Sequence, residues 1–144
     1  MLIRFGKKKQ NKYHNEKCAY KGIEFASKKE RDRYIFLEGR WEAGEISNLR
    51  TQVKVELLPA IYETETVQLK TKTKEVKKLV QKPVYYVADF VYEYNGETIY
   101  EDTKSKATVT KVFALKKKMM RALKGIDVKE NYNPTEWIQH KPRR

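Results

Sequence analysis

The run of strand-forming residues at 85–94 constrains the fold more than any other part of the chain. It is rich in Tyr, Val and Phe, which favour β-strands. It ends at Asn95-Gly96, the pair that a two-residue type I′ turn prefers. Such a turn fixes the register of the strands on either side. The sequence therefore predicts a β-hairpin in which Tyr94 lies opposite Glu97.

The same register places two aspartates opposite each other. Counting back from the turn, Asp89 lies opposite Asp102, and Lys104 shares their face because side chains alternate along a strand. Like charges directly opposed destabilise a sheet, and a divalent cation bound between the two carboxylates removes that penalty. A solvated strand end is the competing interpretation. A β-bulge near Glu101 would exchange Glu101 for Asp102, and the sequence leaves this alternative open.

The charge distribution favours a site at this hairpin. The chain carries 32 Lys and Arg against 19 Asp and Glu, a net charge of +13, which indicates a polyanionic partner. Residues 83–103 hold five acidic groups and no basic one, whereas residues 104–124 hold eight basic groups and no acidic one. Carboxylates repel phosphate, so a purely electrostatic binder gains nothing from them. A metal-dependent enzyme acting on nucleic acid needs this juxtaposition.

A second candidate carboxylate opens the first predicted helix, at about 28–43. Ser27 and Glu30 form a capping-box pattern, which gives Glu30 a purely structural explanation. Glu30 also begins a stripe at helical spacing that faces inward and continues through Tyr34, Leu37 and Trp41. Capping and function can coexist, and the sequence does not separate them.

The remaining segments complete a single domain, as 144 residues allow. Alternating apolar residues predict a half-buried strand at 51–58, and a second helix is predicted at about 108–124. Its apolar residues are Val109, Val112, Phe113, Met119, Met120 and Leu123. We assign a basic arm at 1–22, the folded domain at 23–130 and a tail at 131–144. Within the domain, residues 60–82 form a basic β insertion or protrusion, in which 74–82 is either helical or extended, and residues 126–130 form a short strand.

Three motifs in this order resemble the PD-(D/E)xK nuclease superfamily. They are F-x-S-K-x-E at 25–30, Y-x-A-D-F-x-Y at 86–92 and E-D-x-K at 101–104. More closely, the sequence is similar to small phage-encoded proteins of that superfamily that resemble Holliday-junction resolvases. The likeness spans roughly residues 20–130, and Ala88 stands where the name motif has proline.

The resemblance implies an α/β fold of the restriction-endonuclease type, with a central mixed β-sheet flanked by helices. It also implies hydrolysis of phosphodiester bonds with Mg²⁺ or Mn²⁺. Asp89 and Asp102 would ligate the metal, with the Thr103 carbonyl as a further candidate ligand. Lys104 would orient or deprotonate the attacking water and stabilise charge on the phosphate, and Glu30 would complete the site directly or through water. Gln52 is a further candidate to approach it.

Basic side chains are the candidates for binding the substrate. Helix two presents Lys111, Lys116 and Lys117, and Lys106 precedes it. A solvated polar face is the ordinary explanation for such a run, but the lack of any acidic partner favours phosphate contacts. The basic arm adds Lys7, Lys8 and Lys9. The resemblance further implies branched or four-way DNA as partner and a homodimer.

Other function classes find little support. The only histidines, His14 and His140, lie near the termini, and the single cysteine, Cys18, excludes a disulfide framework. We find no Gly-rich phosphate loop, no membrane-spanning run and no signal sequence. We therefore expect no nucleotide cofactor, no membrane association and a cytoplasmic location, which is the host cytoplasm for a phage-encoded protein.

Three hypotheses remain at this point. The first is a metal-dependent, structure-selective DNA endonuclease, in particular a phage Holliday junction resolvase acting in recombination. The second is another nuclease of the same superfamily, acting in packaging, repair or end processing. The third is a basic nucleic-acid-binding protein without catalysis.

Overall fold

A four-stranded mixed sheet lies at the centre of the computed structural model, which describes residues 17–137. Its order is β3–β6–β7–β8, antiparallel except for the parallel pair β7–β8. One helix packs on each face, which confirms the predicted α/β class. The helices are α1 (Lys28–Glu42) and α2 (Lys111–Lys124), and the strands are β1 (Cys18–Tyr20), β2 (Ile23–Phe25), β3 (Ser47–Leu58), β4 (Ile61–Gln68), β5 (Thr73–Gln81), β6 (Val84–Tyr94), β7 (Glu97–Thr103) and β8 (Val128–Asn131).

The β6–β7 hairpin has the predicted register. Asn95 and Gly96 have φ values of 48° and 75°, as a type I′ turn requires. Tyr94 pairs with Glu97, and the ladder continues to Phe90 opposite Glu101 without a bulge. This is the register that brings the aspartates together.

The sheet changes its packing at one level in β3 and β6. Phe90 packs into the cluster beneath α1, whereas Ala88, two residues earlier, packs into the cluster beneath α2. Residues two apart on a regular strand share a face, so the alternation is interrupted at Asp89. On β3 the residue at this level is Gln52, which has a φ of 50°. Positive φ is uncommon for a non-glycine residue and marks a locally constrained backbone.

Helix α2 begins and ends by local chemistry. The Thr110 hydroxyl accepts a hydrogen bond from the Phe113 N–H at 3.1 Å, and Gly125 closes the helix with a φ of 65°. Phe113 and Met120 are buried against the sheet. The predicted apolar side is wrong at Val112 and Leu123, which are exposed because α2 covers the sheet with only a narrow face. It is also wrong at Val109, which is exposed and lies before the helix begins at Lys111.

Residues 61–81 form a ribbon that stands apart from the sheet. Strands β4 and β5 pair only with each other among the described residues, and every residue of both is exposed. The segment at 74–82, which the sequence left as helical or extended, is extended. We refer to residues 61–81 as the ribbon.

The described parts of the predicted basic arm and C-terminal tail are more ordered than those predictions imply. Residues 18–20 pair with 23–25 in a short hairpin, so this part of the predicted arm is a strand. Residues 1–16 and 138–144, including His14 and His140, lie outside the described residues. In the predicted tail, Trp137 packs edge-to-face on Tyr94 with ring centroids 4.9 Å apart.

A buried ion pair joins α1 to β7. Arg33 and Glu101 are both fully buried, and two guanidinium nitrogens of Arg33 donate to the two carboxylate oxygens of Glu101. Tyr92 donates to the same carboxylate at 2.8 Å. Arg33 also donates to the carbonyls of Pro134 at 3.1 Å and Glu136 at 2.7 Å. Every charge is thus paired, which a buried ion pair requires.

We expect Arg33→Met to lower the free energy of unfolding by about 3–5 kcal/mol, because it leaves Glu101 buried without a counter-charge. Urea denaturation followed by circular dichroism measures the loss. The matched control is Arg121→Met, which removes a largely exposed ion pair with Asp127. That change should cost about 0–1 kcal/mol. Equal losses in the two variants would contradict a central role for Arg33.

Candidate functional site

The candidate residues from α1, β6 and β7 meet where the β6–β7 ladder ends. Glu30, Asp89, Asp102 and Lys104 lie close enough that Asp102 and Glu30 raise the pKa of Asp89 and that Asp102 and Lys104 act on the pKa of Glu30. The helix supplies Glu30 from its first turn, and the hairpin supplies the other three. The four residues therefore form one site.

Asp89 is the most perturbed acid of the site. Burial first, then the charge of Asp102 and a hydrogen bond between these two carboxyl groups, raise the pKa of Asp89 to about 8. The Thr103 N–H opposes this by donating to Asp89 at 2.9 Å. That contact replaces the backbone hydrogen bond that would otherwise continue the β6–β7 pairing beyond Phe90 and Glu101. Two charged carboxylates this close are unfavourable, and a bound cation would offset that cost.

Asp102 is buried and held at both oxygens. The Tyr86 hydroxyl donates to Oδ2 at 2.5 Å, and the Lys104 ammonium lies 3.1 Å from Oδ1. The side chain retains only 6% of its accessible surface. Its carboxylate is thus fixed in orientation, with one neutral and one charged partner.

Glu30 serves both the helix and the site. The Ser27 hydroxyl accepts a hydrogen bond from the Glu30 N–H at 3.2 Å, and the Glu30 carboxylate accepts one from the Ala26 backbone. Gln52 also donates to Glu30 at 3.0 Å and reaches Asp89 at 3.4 Å. Burial raises the pKa of Glu30 despite these contacts. Both explanations offered by the sequence are compatible with this geometry.

Lys104 is positioned by its backbone as well as by Asp102. Its N–H donates to the Asn131 carbonyl at 2.8 Å, and its own carbonyl accepts from Lys29 at 2.8 Å. The ammonium lies 4.0 Å from the centroid of the Phe113 ring. An aromatic face attracts a cation without neutralising it. The charge of Lys104 is thereby held beside the two aspartates.

Glu101 is not part of this site. The ladder has no bulge at Glu101, so its side chain lies on the opposite face from Asp102, in the ion pair with Arg33. The alternative in which Glu101 replaces Asp102 is therefore wrong. A continuous strand forces neighbouring residues to opposite faces.

The candidate phosphate-binding lysines differ in their surroundings. Lys106 and Lys111 are exposed, just beyond Lys104 and at the start of α2. Lys116 is half-buried, and Lys117 is paired with Glu130 at 3.2 Å. The candidates Lys7, Lys8 and Lys9 lie outside the described residues.

Two further residues belong to the site although the sequence did not single them out. Lys29 reaches the Lys104 carbonyl from α1, and Tyr86 holds Asp102. In the sequence, Lys29 is marked only by its place next to Glu30 in the capping-box pattern. Tyr86 belongs to the strand motif, where a tyrosine is an ordinary strand-forming residue. Gln52, the further candidate from the sequence, does approach the site, at a backbone position with a positive φ that glutamine does not signal.

The donor set fits a divalent cation in kind. Asp89 and Asp102 offer adjacent carboxylate oxygens, and Mg²⁺ is commonly held by one or two carboxylates together with water and phosphate oxygens. Among residues 17–137, no group of three or more His, Cys, Asp or Glu side chains has a metal-binding arrangement. Glu30 is already engaged by the hydrogen bond from Gln52. We therefore assign the aspartates as candidate direct ligands and Glu30 as a supporting group.

The fold and the site together define a single α/β domain, with a mixed sheet between two helices and an acidic pair and a lysine at the end of a strand. The chain belongs to the family described as "Protein of unknown function (DUF1064)", whose model matches residues 10–140. No curated protein and no solved structure matches it significantly. No helix within residues 17–137 is long and apolar enough to span a membrane.

We expect Asp89→Asn to stabilise the metal-free protein at pH 8. The pKa of Asp89 is about 8 in the folded state against 3.8 for an ordinary aspartate, so folding holds a proton that the unfolded chain releases. Stability is therefore lost as pH rises from about 4 to about 8. The variant should avoid that loss, on the order of 1–3 kcal/mol.

Thermal unfolding in EDTA at pH 4 and pH 8 measures this effect. The two proteins should differ little at pH 4 and most at pH 8. Glu93→Gln, which changes an exposed carboxylate of the same strand, is the control and should show no such trend. A destabilised Asp89→Asn at pH 8 would instead identify Asp89 as a structural anchor for the Thr103 N–H.

Proposed function

We propose that the protein is a metal-dependent, structure-selective DNA endonuclease, and specifically a phage Holliday junction resolvase that acts as a homodimer in the host cytoplasm. The observation that carries this proposal is the pair Asp89 and Asp102, close enough for their carboxyl groups to interact directly and flanked by Lys104. A structural role alone does not account for two opposed acids, because like charges at facing strand positions destabilise a sheet.

The residues of the site divide the chemistry of phosphodiester hydrolysis between them. A Mg²⁺ or Mn²⁺ ion at the aspartates would lower the pKa of bound water and polarise the phosphate. Lys104 would orient the attacking water and offset charge on the phosphate. The Thr103 N–H orients Asp89, and Glu30 with Gln52 forms a polar wall on the α1 side.

The surroundings of the site supply contacts to the sugar-phosphate backbone. Lys106 and Lys111 are exposed beside Lys104 and would bind the phosphates that flank the cleaved bond. The turn of the ribbon, apart from the site, carries two more exposed lysines, Lys70 and Lys72, and the nearest carboxylates in sequence are those of Glu65 and Glu75. Contacts of this kind position a nucleic acid without reading its sequence. They suit an enzyme that recognises the shape of its DNA.

We expect Asp89→Asn and Asp102→Asn to bind four-way junction DNA and fail to cut it, with a loss of at least about 100-fold in the cleavage rate. Lys104→Ala should lose about 10²–10⁴-fold, as expected for a proton-transfer or charge-stabilising group. A gel assay with labelled junction, flap and linear duplex DNA in Mg²⁺ or Mn²⁺ measures both binding and cleavage.

Glu93→Gln is the matched control, because it removes an acid from the same hairpin outside the site. It should cut like the unchanged protein. Full cleavage by both aspartate variants would exclude the proposed site. Equal cutting of linear and junction DNA would indicate a nuclease for packaging, repair or end processing. Binding without cleavage of any nucleic acid, and without metal binding, would indicate a non-catalytic DNA-binding protein.

We expect the ribbon to contribute to DNA binding but not to folding. Replacing residues 63–78 by Asn-Gly joins Tyr62 to Leu79, which are partners across the ribbon. Because the ribbon pairs only with itself, the unfolding free energy should change by less than about 1 kcal/mol. The double variant Lys70→Gln and Lys72→Gln keeps the ribbon and removes only its turn lysines. For both variants, the plot of the logarithm of the DNA association constant against the logarithm of the salt concentration should become shallower, its slope falling in magnitude by about one to two. An unchanged slope in both would remove the ribbon from the DNA contact.

A further inference from the structure

We infer that Tyr86 is a positioning residue, which orients the Asp102 carboxylate toward the cation and Lys104. This inference rests on the proposed function, because it assigns Tyr86 a role in metal binding at the same site. Tyr86 is only 3% exposed, and no feature of its sequence position distinguishes it from the other tyrosines of the strand. The role that we assign to Tyr86 belongs to its hydroxyl and not to its ring.

The two oxygens of Asp102 have different partners. Oδ2 accepts the Tyr86 hydroxyl at 2.5 Å, and Oδ1 faces the Lys104 ammonium at 3.1 Å. A carboxylate held at one oxygen by a rigid donor cannot rotate freely about its last bond. The Tyr86 contact therefore determines where Oδ1 points.

The packing of Tyr86 makes the donor rigid. Its ring lies 6.4 Å from the Phe113 ring, and Phe113 also lies beneath the Lys104 ammonium. Both partners of Asp102 are thus supported by the same residue of α2. A shift of Phe113 would move both, which ties α2 to the geometry of the site.

A neutral donor suits a carboxylate that must keep its charge. Burial and the neighbouring Asp102 hold the pKa of Tyr86 far above its usual range, with smaller effects of Asp89 and Glu130. A tyrosine hydroxyl is protonated at neutral pH, so it acts here as a neutral donor. It satisfies one oxygen of Asp102 without adding a positive charge that would compete with a cation. Outer groups of this kind typically change metal affinity by about 10–100-fold when removed.

The opposite face of the sheet provides an internal comparison. Tyr92 donates to the buried Glu101 at 2.8 Å, as Tyr86 does to Asp102, but the cationic partner there is Arg33. Both tyrosines lie on β6, and both acids lie on β7. The two pairs are chemically alike, and only the Asp102 pair adjoins the candidate metal site. Tyr92→Phe is therefore the matched control for Tyr86→Phe.

The experiment compares both variants with the unchanged protein by calorimetric titration with Mn²⁺, by urea denaturation and by junction cleavage. Tyr86→Phe should bind Mn²⁺ at least about tenfold more weakly and lose kcat at unchanged KM for DNA. Tyr92→Phe should lose a similar amount of stability, with Mn²⁺ affinity and kcat within about twofold of the unchanged protein. A Tyr86→Phe variant that loses stability but keeps Mn²⁺ affinity and kcat would overturn the inference and leave the proposed function intact. An unchanged protein that neither binds Mn²⁺ nor cuts DNA would overturn both.

A second measurement covers a Tyr86→Phe variant that does not fold. Fluorotyrosine incorporated throughout the protein reports each ring by ¹⁹F NMR, and Tyr92→Phe identifies the Tyr92 signal by its loss. Titration with Mg²⁺ should shift a buried tyrosine signal that survives in Tyr92→Phe. If Mg²⁺ moves no buried tyrosine signal, Tyr86 does not report on the cation and the inference is wrong.

Discussion

The ion pair between Arg33 and Glu101 is the constraint on which the geometry of the site depends. Both charges are removed from water, so each must remain with the other, and this fixes α1 against β7. Glu30 lies about one helical turn before Arg33. Asp102 follows Glu101 directly. An interaction on one face of the sheet thus helps to set the separation of Glu30, on α1, from Asp102, whose side chain lies on the other face of β7.

Neighbouring acids of β7 have opposite tasks because a strand presents them to opposite faces. Glu101 is saturated by Arg33 and Tyr92 and serves the fold. Asp102 is held less completely, by Tyr86 and a lysine, beside a second acid. The difference lies in the partners and not in the acids. Fold stability and the candidate chemistry thus depend on two adjacent residues of the chain.

Much of the site followed from the sequence, because turn chemistry determines the hairpin register and the register determines which residues meet. The asparagine–glycine turn was sufficient to place Asp89 near Asp102 and to direct Glu101 away. The contacts of Gln52 could not be derived in the same way, since they depend on a backbone angle that no local signal marks. The partnership of Arg33 with Glu101 joins residues 68 apart. The exposed apolar residues of α2 were also misassigned, because periodicity shows that a helix has an apolar side but not how much of it the sheet covers.

The interruption of strand alternation at Asp89 has a mechanical consequence. The cluster beneath α1 is confined to the turn side of this level, whereas the cluster beneath α2 extends across it, from Tyr86 and Ala88 to Val91. The two aspartates therefore lie where the packing beneath α1 ends and only the packing beneath α2 continues along the strands. A small shift of α1 against the sheet would act first on the distances at this boundary, while the cluster beneath α2 stays intact.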